Sequence, residues 1–297
     1  MNSHMPKVSI VLPCYNGAAL LGQAIESCIN QTFKDWELII VNDCSTDNTL
    51  EVANAYAQKD ERIHVYTNEK NSKLPASLNN GFRRAQGEYW TWTSDDNLLH
   101  PDMLETMVTY LDEHKDVGFL ASDEQFIDMD GKVLGVRHLP DDLELRLPLN
   151  CHIGASFMYR SEVAKQIGEY REDLFLVEDF EYFLRLSDNC KLVRIPKVLY
   201  SYRDNPGSLT ATRQKEIAER LVRFRLMYLS MAEKRLKNHP NLLALYYYRI
   251  VDNLKGKEKI KYYFEFTKKM PLKFGVKYLL VHSPNRLLKR IKGQRIK

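Results

Sequence analysis

The stretch Trp36–Thr49 reads W-E-L-I-I-V-N-D-C-S-T-D-N-T. Its centre, Leu38–Val41, is a short unbroken apolar run, the pattern of a strand buried on both faces. Asp43-Cys44-Ser45-Thr46-Asp47 ends that run with turn and helix-start residues, and beyond it Thr49, Val52, Ala53 and Tyr56 share one helical face. A buried strand that passes through a polar turn into a helix is half of a parallel crossover. The same unit precedes it: Val8–Leu12 (VSIVL) is apolar, Tyr15-Asn16-Gly17 turns, and Leu21, Ala24, Ile25, Cys28 and Ile29 recur at helical spacing. It also follows, as a strand near Ile63–Thr67, a helix from Pro75 to Ala85, a strand at Tyr89–Thr93 and a helix from Pro101 to His114. The alternation predicts an α/β fold whose mainly parallel, Rossmann-like sheet is flanked by helices.

From Val117 to Tyr202 the segments shorten. Phe119–Ile127, a Met129-Asp130-Gly131-Lys132 turn, Val133–Val136, Ala155–Tyr159 and Leu192–Tyr202 read as strands, with a helix near Asp179–Leu186. They predict a mixed-sheet half that completes one domain over residues 6–205. After about Pro206 the pattern turns helical, and residues 206–297 are expected to form a basic, mainly helical C-terminal region. Ile217, Leu221, Phe224, Tyr228 and Met231 give a seam of only two heptads, which favours a packing helix over a coiled-coil dimer. A later helix should break at Pro271 and Pro284.

With 297 residues, 44% apolar and 28% charged, the chain can bury a large core, and collagen-like or wholly disordered classes are excluded. The net charge of +4 conceals an asymmetry. From Met231 onward there are 18 Lys and Arg against 4 Asp and Glu, a charge of +14, which leaves −10 for residues 1–230. An acidic body argues against wrapping of nucleic acid, and no nucleic-acid motif accompanies the basic end. That end suits an anionic membrane surface or a homo-oligomer contact. Five cysteines without C-x-x-C spacing indicate neither a zinc cluster nor a disulfide framework. The chain has no apolar run near the length of a membrane span and no basic leader, so a cytoplasmic protein is expected, with possible peripheral attachment to the inner face of the membrane. Residues 1–5, MNSHM, look like an expression remnant.

In open α/β sheets ligands sit at the carboxyl ends of the strands. Three such ends carry Pro13-Cys14-Tyr15-Asn16, Asn42-Asp43-Cys44-Ser45 and Ser94-Asp95-Asp96-Asn97, so acidic side chains from distant parts of the chain should converge on one edge. Adjacent Asp95 and Asp96 suit a divalent cation that holds a diphosphate, or equally a solvated turn. Asp43 can accept from a base N–H or serve its own turn.

Taken in order, PCYN, QTFKDWELIIVNDCSTDNT, ASLNNGF, GEY, SDDN and VEDFEYFLRL make Pro6–Tyr202 resemble a family 2 glycosyltransferase of GT-A fold. The resemblance implies inverting transfer of a sugar from a nucleotide diphosphate donor, usually a UDP-sugar, to an acceptor hydroxyl. It places Pro13 and Tyr15 beside the nucleobase, Asp43 on the uracil and Asn79 near the donor. Where D-x-D-D is usual, this chain has Thr93-Ser94-Asp95-Asp96. By similarity to members ending in T-D-D-N, Asp95 is expected at the ribose or diphosphate, with Asp96, and Asp95 if shared, on Mn²⁺ or Mg²⁺. Asp179 of the E-D pair matches the catalytic base, which must sit within hydrogen-bond reach of the acceptor hydroxyl. Helix-start acids favoured by the macrodipole are the plain alternative.

Arg203, His152 and Lys73 are weaker candidates, more structural or solvated than functional. A nucleotidyltransferase is disfavoured because PCYNGAALLG lacks a basic phosphate loop. A non-catalytic nucleotide-sugar-binding or scaffold module that acts through the basic region is the remaining alternative. The sugar and the acceptor (glycan, glycoprotein or lipid-linked saccharide) are not specified by these motifs. The absence of Q-x-x-R-W favours addition of single sugars.

Overall fold

The computed structural model of the chain describes residues 5–269; the expected breaks at Pro271 and Pro284 lie outside them. The elements run β1 (Val8–Cys14), α1 (Ala18–Ile29), β2 (Trp36–Asn42), α2 (Thr49–Ala57), β3 (Ile63–Thr67), α3 (Leu74–Phe82), β4 (Tyr89–Trp92), β5 (Leu98–Leu99) and α4 (Met103–Glu113). They continue with β6 (Val117–Ile127), β7 (Val133–Arg137), α5 (Leu143–Arg146), β8 (Phe157–Arg160), α6 (Ser161–Ile167), α7 (Glu178–Asn189) and β9 (Lys191–Arg203). Helices α8 (Leu209–Thr212), α9 (Gln214–Met227), α10 (Leu229–Arg235), α11 (Pro240–Asn253) and α12 (Gly256–Lys269) follow.

The sheet order is β3-β2-β1-β4-β8-β6-β9-β5, with β7 paired to β6. Strands β1 to β4 pair in parallel, with Ile10 opposite Leu38 and Thr91. The antiparallel β8 then joins β4 to β6, and β6 runs parallel to β9. All seven residues of β1 and of β2 are buried, as continuous apolar runs require. Side chains alternate between the faces. Val8, Ile10, Leu12, Leu38 and Ile40 join a core with Leu21, Ala24, Ile25 and Cys28 of α1 and Leu104, Met107 and Leu111 of α4. Each of the Val, Leu, Ile and Met side chains among them contributes roughly 1.5–3 kcal/mol on burial. On the opposite face Gly81 lets α3 approach β1, since a β-carbon there would collide with Val11.

The predicted α/β sheet is therefore present. Three elements were not anticipated: β5, whose two residues pair with Tyr200 and Ser201 of β9, and the short helices α5 and α6. The seam from Ile217 to Met231 does not run through one helix, because α9 ends before Tyr228 and α10 begins after it.

By internal contacts the chain forms two compact units, residues 1–144 with 151–212, and residues 145–150 with 213–297. The division falls after Thr212, and the six residues Leu145–Asn150 group with the helices that follow. The second unit has its own core of Leu149, Val222, Ala232, Leu236, Tyr246 and Ile250, with the Tyr247 and Phe266 rings stacked at 4.2 Å. Among the described residues no helix is long and apolar enough to cross a membrane.

Candidate active site

The loops after β1 and β2 are laced together. Asp43 N–H donates to the Cys14 carbonyl, Asn16 N–H to Ser45 Oγ, Thr46 N–H to Asn16 Oδ1 and Gly17 N–H to Thr49 Oγ1, all between 2.8 and 3.0 Å. Asp47 Oδ2 accepts from Ala18 N–H at 3.2 Å, so the first turn of α1 is capped from the neighbouring loop and not by Gly17, which has no side chain to offer. These bonds fix the strand-end edge before any ligand arrives.

Asp43 is buried. Its Oδ1 accepts from Asn68 Nδ2 (2.8 Å) and Ser72 N–H (2.7 Å), and its Oδ2 from Lys73 N–H (2.9 Å). Asp43 thus folds the loop before α3 back onto β2 and keeps one lone pair on Oδ2. Lys73 contributes its backbone to this clamp while its side chain is exposed. Pro13 is buried two residues past Val11, where pairing of β1 with β4 ends, and Tyr15 is exposed at the rim.

Asp95 sits half-buried under this rim. Its carboxylate accepts from Tyr15 N–H and lies against Gly17, where a β-carbon would strike it although φ of −107° would suit any residue. Burial, then the neighbouring charge of Asp96, pushes its carboxyl up to about 7. Asp96 accepts from Ser94 Oγ at 2.7 Å and from Asn205 Nδ2 at 2.9 Å. Among the described residues no cluster of three or more acidic, His or Cys side chains is arranged to hold a metal. Two crowded carboxylates with lone pairs to spare nevertheless fit a hard divalent cation that takes its other ligands from phosphate or water.

Two buried groups report which acids converge. The Cys14 thiol is pushed well above its usual value by burial and then by Asp95, Asp47 and Asp43. The Tyr202 phenol is raised by burial and, against the opposing bond from Thr210, by Asp96, Glu124 and Asp179. Carboxylates from the ends of β2 and β4, from β6 and from α7 therefore form one acidic strip.

Asp179 stands at the start of α7, half-buried, with Phe180 N–H donating to its Oδ1 at 2.6 Å. Burial raises its carboxyl above the ordinary range. Beside it Glu178 is 3% exposed, its Oε2 has no partner, and burial followed by the Asp179 charge pushes its carboxyl up to about 8. Two residues earlier, Leu176 has φ of 76°. The four non-glycine residues with positive φ among those described are Asn16, Cys44, Lys73 and Leu176, each within three positions of a candidate residue or in the Asp43 clamp. Strain of about 1–3 kcal/mol at each is concentrated where the ligand edge lies.

Other expectations are redirected. Asn79 is 2% exposed, and its amide is engaged with the Tyr170 backbone in both directions, Nδ2 to the carbonyl at 2.9 Å and Oδ1 from the N–H at 2.8 Å. It lines a cavity of about 320 Å³ with Phe82, Trp90, Tyr170 and Tyr182. Arg203 is buried with its donors occupied: Nε to the Asp96 carbonyl, Nη1 to the carbonyls of Asp128 and Met129, and Nη2 to Gln23 Oε1, at 2.8–3.0 Å. It positions the Asp95-Asp96 turn. His152 is half-buried in the loop that leads to Gly154.

Asp47, Glu124 and Asn205 were missed. Asp47 stood four residues beyond Asp43 in a quoted motif, and Asn205 two beyond Arg203, so spacing offered a signal for both. Glu124 had none, being a buried acid within a strand. It pairs with Arg137 Nη2 at 2.6 Å and accepts from Ala155 N–H, beside Gly154, whose φ is 66° and whose β-carbon would collide with the pair.

A parallel sheet continued by a mixed half, with acids gathered at its strand ends, is the GT-A architecture of nucleotide-sugar-dependent glycosyltransferases. The chain belongs to glycosyl transferase family 2, whose model matches residues 9–168. It is 32% identical to the putative glycosyltransferase EpsE of Bacillus subtilis over 69% of this chain and 75% of that protein. It is 33% identical to the uncharacterized protein y4gI of Sinorhizobium fredii over 70% of this chain but 23% of that one. Among solved structures it resembles S. aureus TarS 1–349 in complex with UDP-GlcNAc, with a TM-score of 0.68, 18% identity and coverage of 98% of this chain and 93% of that one. The mannosyltransferase PcManGT of Pyrobaculum calidifontis in complex with GDP-Man and Mn²⁺ gives a TM-score of 0.65 at 16% identity, covering 98% and 85%.

Proposed function

We propose that the protein transfers a sugar from a UDP-sugar to an acceptor hydroxyl with inversion at the anomeric carbon. The observation that carries this reading is the acidic strip, in which Asp43, Asp47 and Asp95 meet at Cys14 while Asp96, Glu124 and Asp179 meet at Tyr202. One strip thus joins a nucleotide end to a reaction end. Tyr15, exposed at the rim, and Pro13 border the nucleobase, and the remaining lone pair of Asp43 accepts from a base N–H. Asp95 faces the ribose or diphosphate. Asp96, with Asp95, would hold Mn²⁺ or Mg²⁺, which when bound supplies positive charge to the departing diphosphate.

Asp179 is the base. As the acceptor oxygen bonds to the anomeric carbon, its proton passes to the Asp179 carboxylate and the bond from that carbon to the diphosphate oxygen breaks. A raised carboxyl suits this duty because it is a stronger base than an ordinary aspartate. Glu178, kept protonated near neutrality, adds no second negative charge beside the reacting oxygen. The acceptor, a glycan, glycoprotein or lipid-linked saccharide, and an attachment of the basic region to anionic membrane belong to the same proposal.

The test is UDP release from a panel of UDP-sugars with and without Mn²⁺, with UDP binding measured in parallel. Asp179→Asn is expected to lower turnover by about 10²–10⁴ while UDP binding persists. Asp96→Asn should abolish the Mn²⁺ dependence of binding. Full turnover in Asp179→Asn would reject it as base. Absence of any Mn²⁺-dependent UDP binding would favour a non-catalytic module.

A further inference from the structure

The cavity of about 320 Å³ lies within the sheet unit, bordered by the last residue of α3, the second residue of β4, α6 and α7. It adjoins Trp90, whereas Asp95 and Asp96 follow the carboxyl end of the same strand. Four buried rings, those of Phe82, Trp90, Tyr170 and Tyr182, contribute to its walls, and Arg83, Lys165 and Glu169 line it while staying exposed. Its volume is at the small end for ligand pockets and suits a single ring with its substituents.

Most polar groups around it are committed. Asn79 is engaged with the Tyr170 backbone, and the Tyr170 hydroxyl accepts from Trp92 Nε1 at 3.0 Å. Arg83 clasps Glu169 through two bonds of 2.6 Å, so that pair carries no net charge. Two donors are left. Trp90 is 6% exposed, and its Nε1–H is buried with no acceptor, although a buried indole ordinarily finds one. Lys165 holds its ammonium 5.5 Å from the centroid of the Trp90 ring, and no carboxylate of the described residues pairs with it.

One buried N–H and one cation beside aromatic walls select the ligand. An acceptor oxygen satisfies the indole, and a single negative charge balances the ammonium. The two oxygens of one carboxylate can take a hydrogen bond of about 2.9 Å from each donor. A phosphate dianion would bring a second charge with no cation to meet it, since Arg83 is taken by Glu169. The rest of the ligand must be compact and apolar enough to lie against the rings.

We propose that this cavity binds a six-membered ring bearing a carboxylate, with the carboxylate held between Trp90 Nε1–H and Lys165 Nζ and the ring against Phe82, Tyr170 and Tyr182. The ring is that of a uronic acid or of an aromatic acid. No member of the acidic strip lines this site.

The experiment titrates the whole chain with glucuronate and with benzoate, by calorimetry and by thermal unfolding, at constant ionic strength. Glucose supplies the ring without the charge, and acetate the charge without the ring. The expected result is saturable binding and a rise in Tm with a ring acid at concentrations where glucose and acetate have no effect. The tighter of the two acids identifies the kind of ring. Lys165→Met removes the cation, Trp90→Phe removes the N–H donor, and each should weaken binding about tenfold or more. Should Trp90→Phe fail to fold, the exposed Lys165→Met carries the comparison. No response to either ring acid, an equal response to acetate or glucose, or binding unchanged in both variants overturns the proposal.

Discussion

At the residue scale the acidic strip works because its members are not equivalent. Glu178 has no partner for Oε2 and lies beside Asp179, so its folded carboxyl titrates near 8 against 4.5 for an ordinary glutamate. The native state then keeps a proton that the unfolded chain has released across that window. Stability consequently falls as pH rises from about 4.5 to about 8, by at most about 1.4 kcal/mol per pH unit, and levels off above. Glu178→Gln removes this dependence. Urea unfolding at several pH values from 5.5 to 8.5 should show the two proteins diverging as pH rises, with the variant flatter; parallel curves would mean that Glu178 is ionised in the fold. The same scale shows what spacing conceals. The resemblance places Asn79 near the donor, yet its amide is committed to the Tyr170 backbone, a partner 91 residues away that no local pattern announces.

At the element scale, β9 brings Tyr200, Tyr202 and Arg203 to the site, and Arg203 fastens its end to three carbonyls and to Gln23. Arg203→Met should leave those acceptors buried and unpaired and destabilise the protein by about 3 kcal/mol or more. Arg203→Lys should rescue little, because one ammonium group cannot span the same acceptors. Chemical denaturation decides: a loss below about 1 kcal/mol in Arg203→Met would deny the clamp. The parallel half of the sheet was legible because β1 and β2 are buried on both faces and so are written as apolar runs, VSIVL and LIIV. Strand β5 was not, since two leucines after an acidic turn have no period, and it exists only because β9 supplies its hydrogen bonds. The acids after β2 and β4 could be found by the strand-end rule. Glu124 could not, because its surroundings, Arg137 and the loop at Gly154, are assembled by tertiary structure.

At the scale of the whole molecule, the chain leaves the sheet unit after Glu144 and returns at Cys151, whose thiol is raised by burial and by the charge of Asp179. The six residues between carry Leu149, buried to 2% among Val222, Ala232, Leu236 and Tyr246. A cut after Thr212 would look harmless from sequence, where the helices simply follow the sheet. The contacts argue otherwise, because Leu149 would lose its whole cluster while the loop that holds it continues into Cys151. A chain ending at Thr212 is therefore expected to melt earlier than the full protein and to bind more of a hydrophobic dye. Leu149→Ser should reduce the dye binding of the shortened chain, yet cost the full protein about 2–5 kcal/mol, the range for emptying a buried leucine site. Equal melting of the two lengths, with no added dye binding, would show that Leu145–Asn150 needs nothing from the helical unit and that the sheet unit can stand without it.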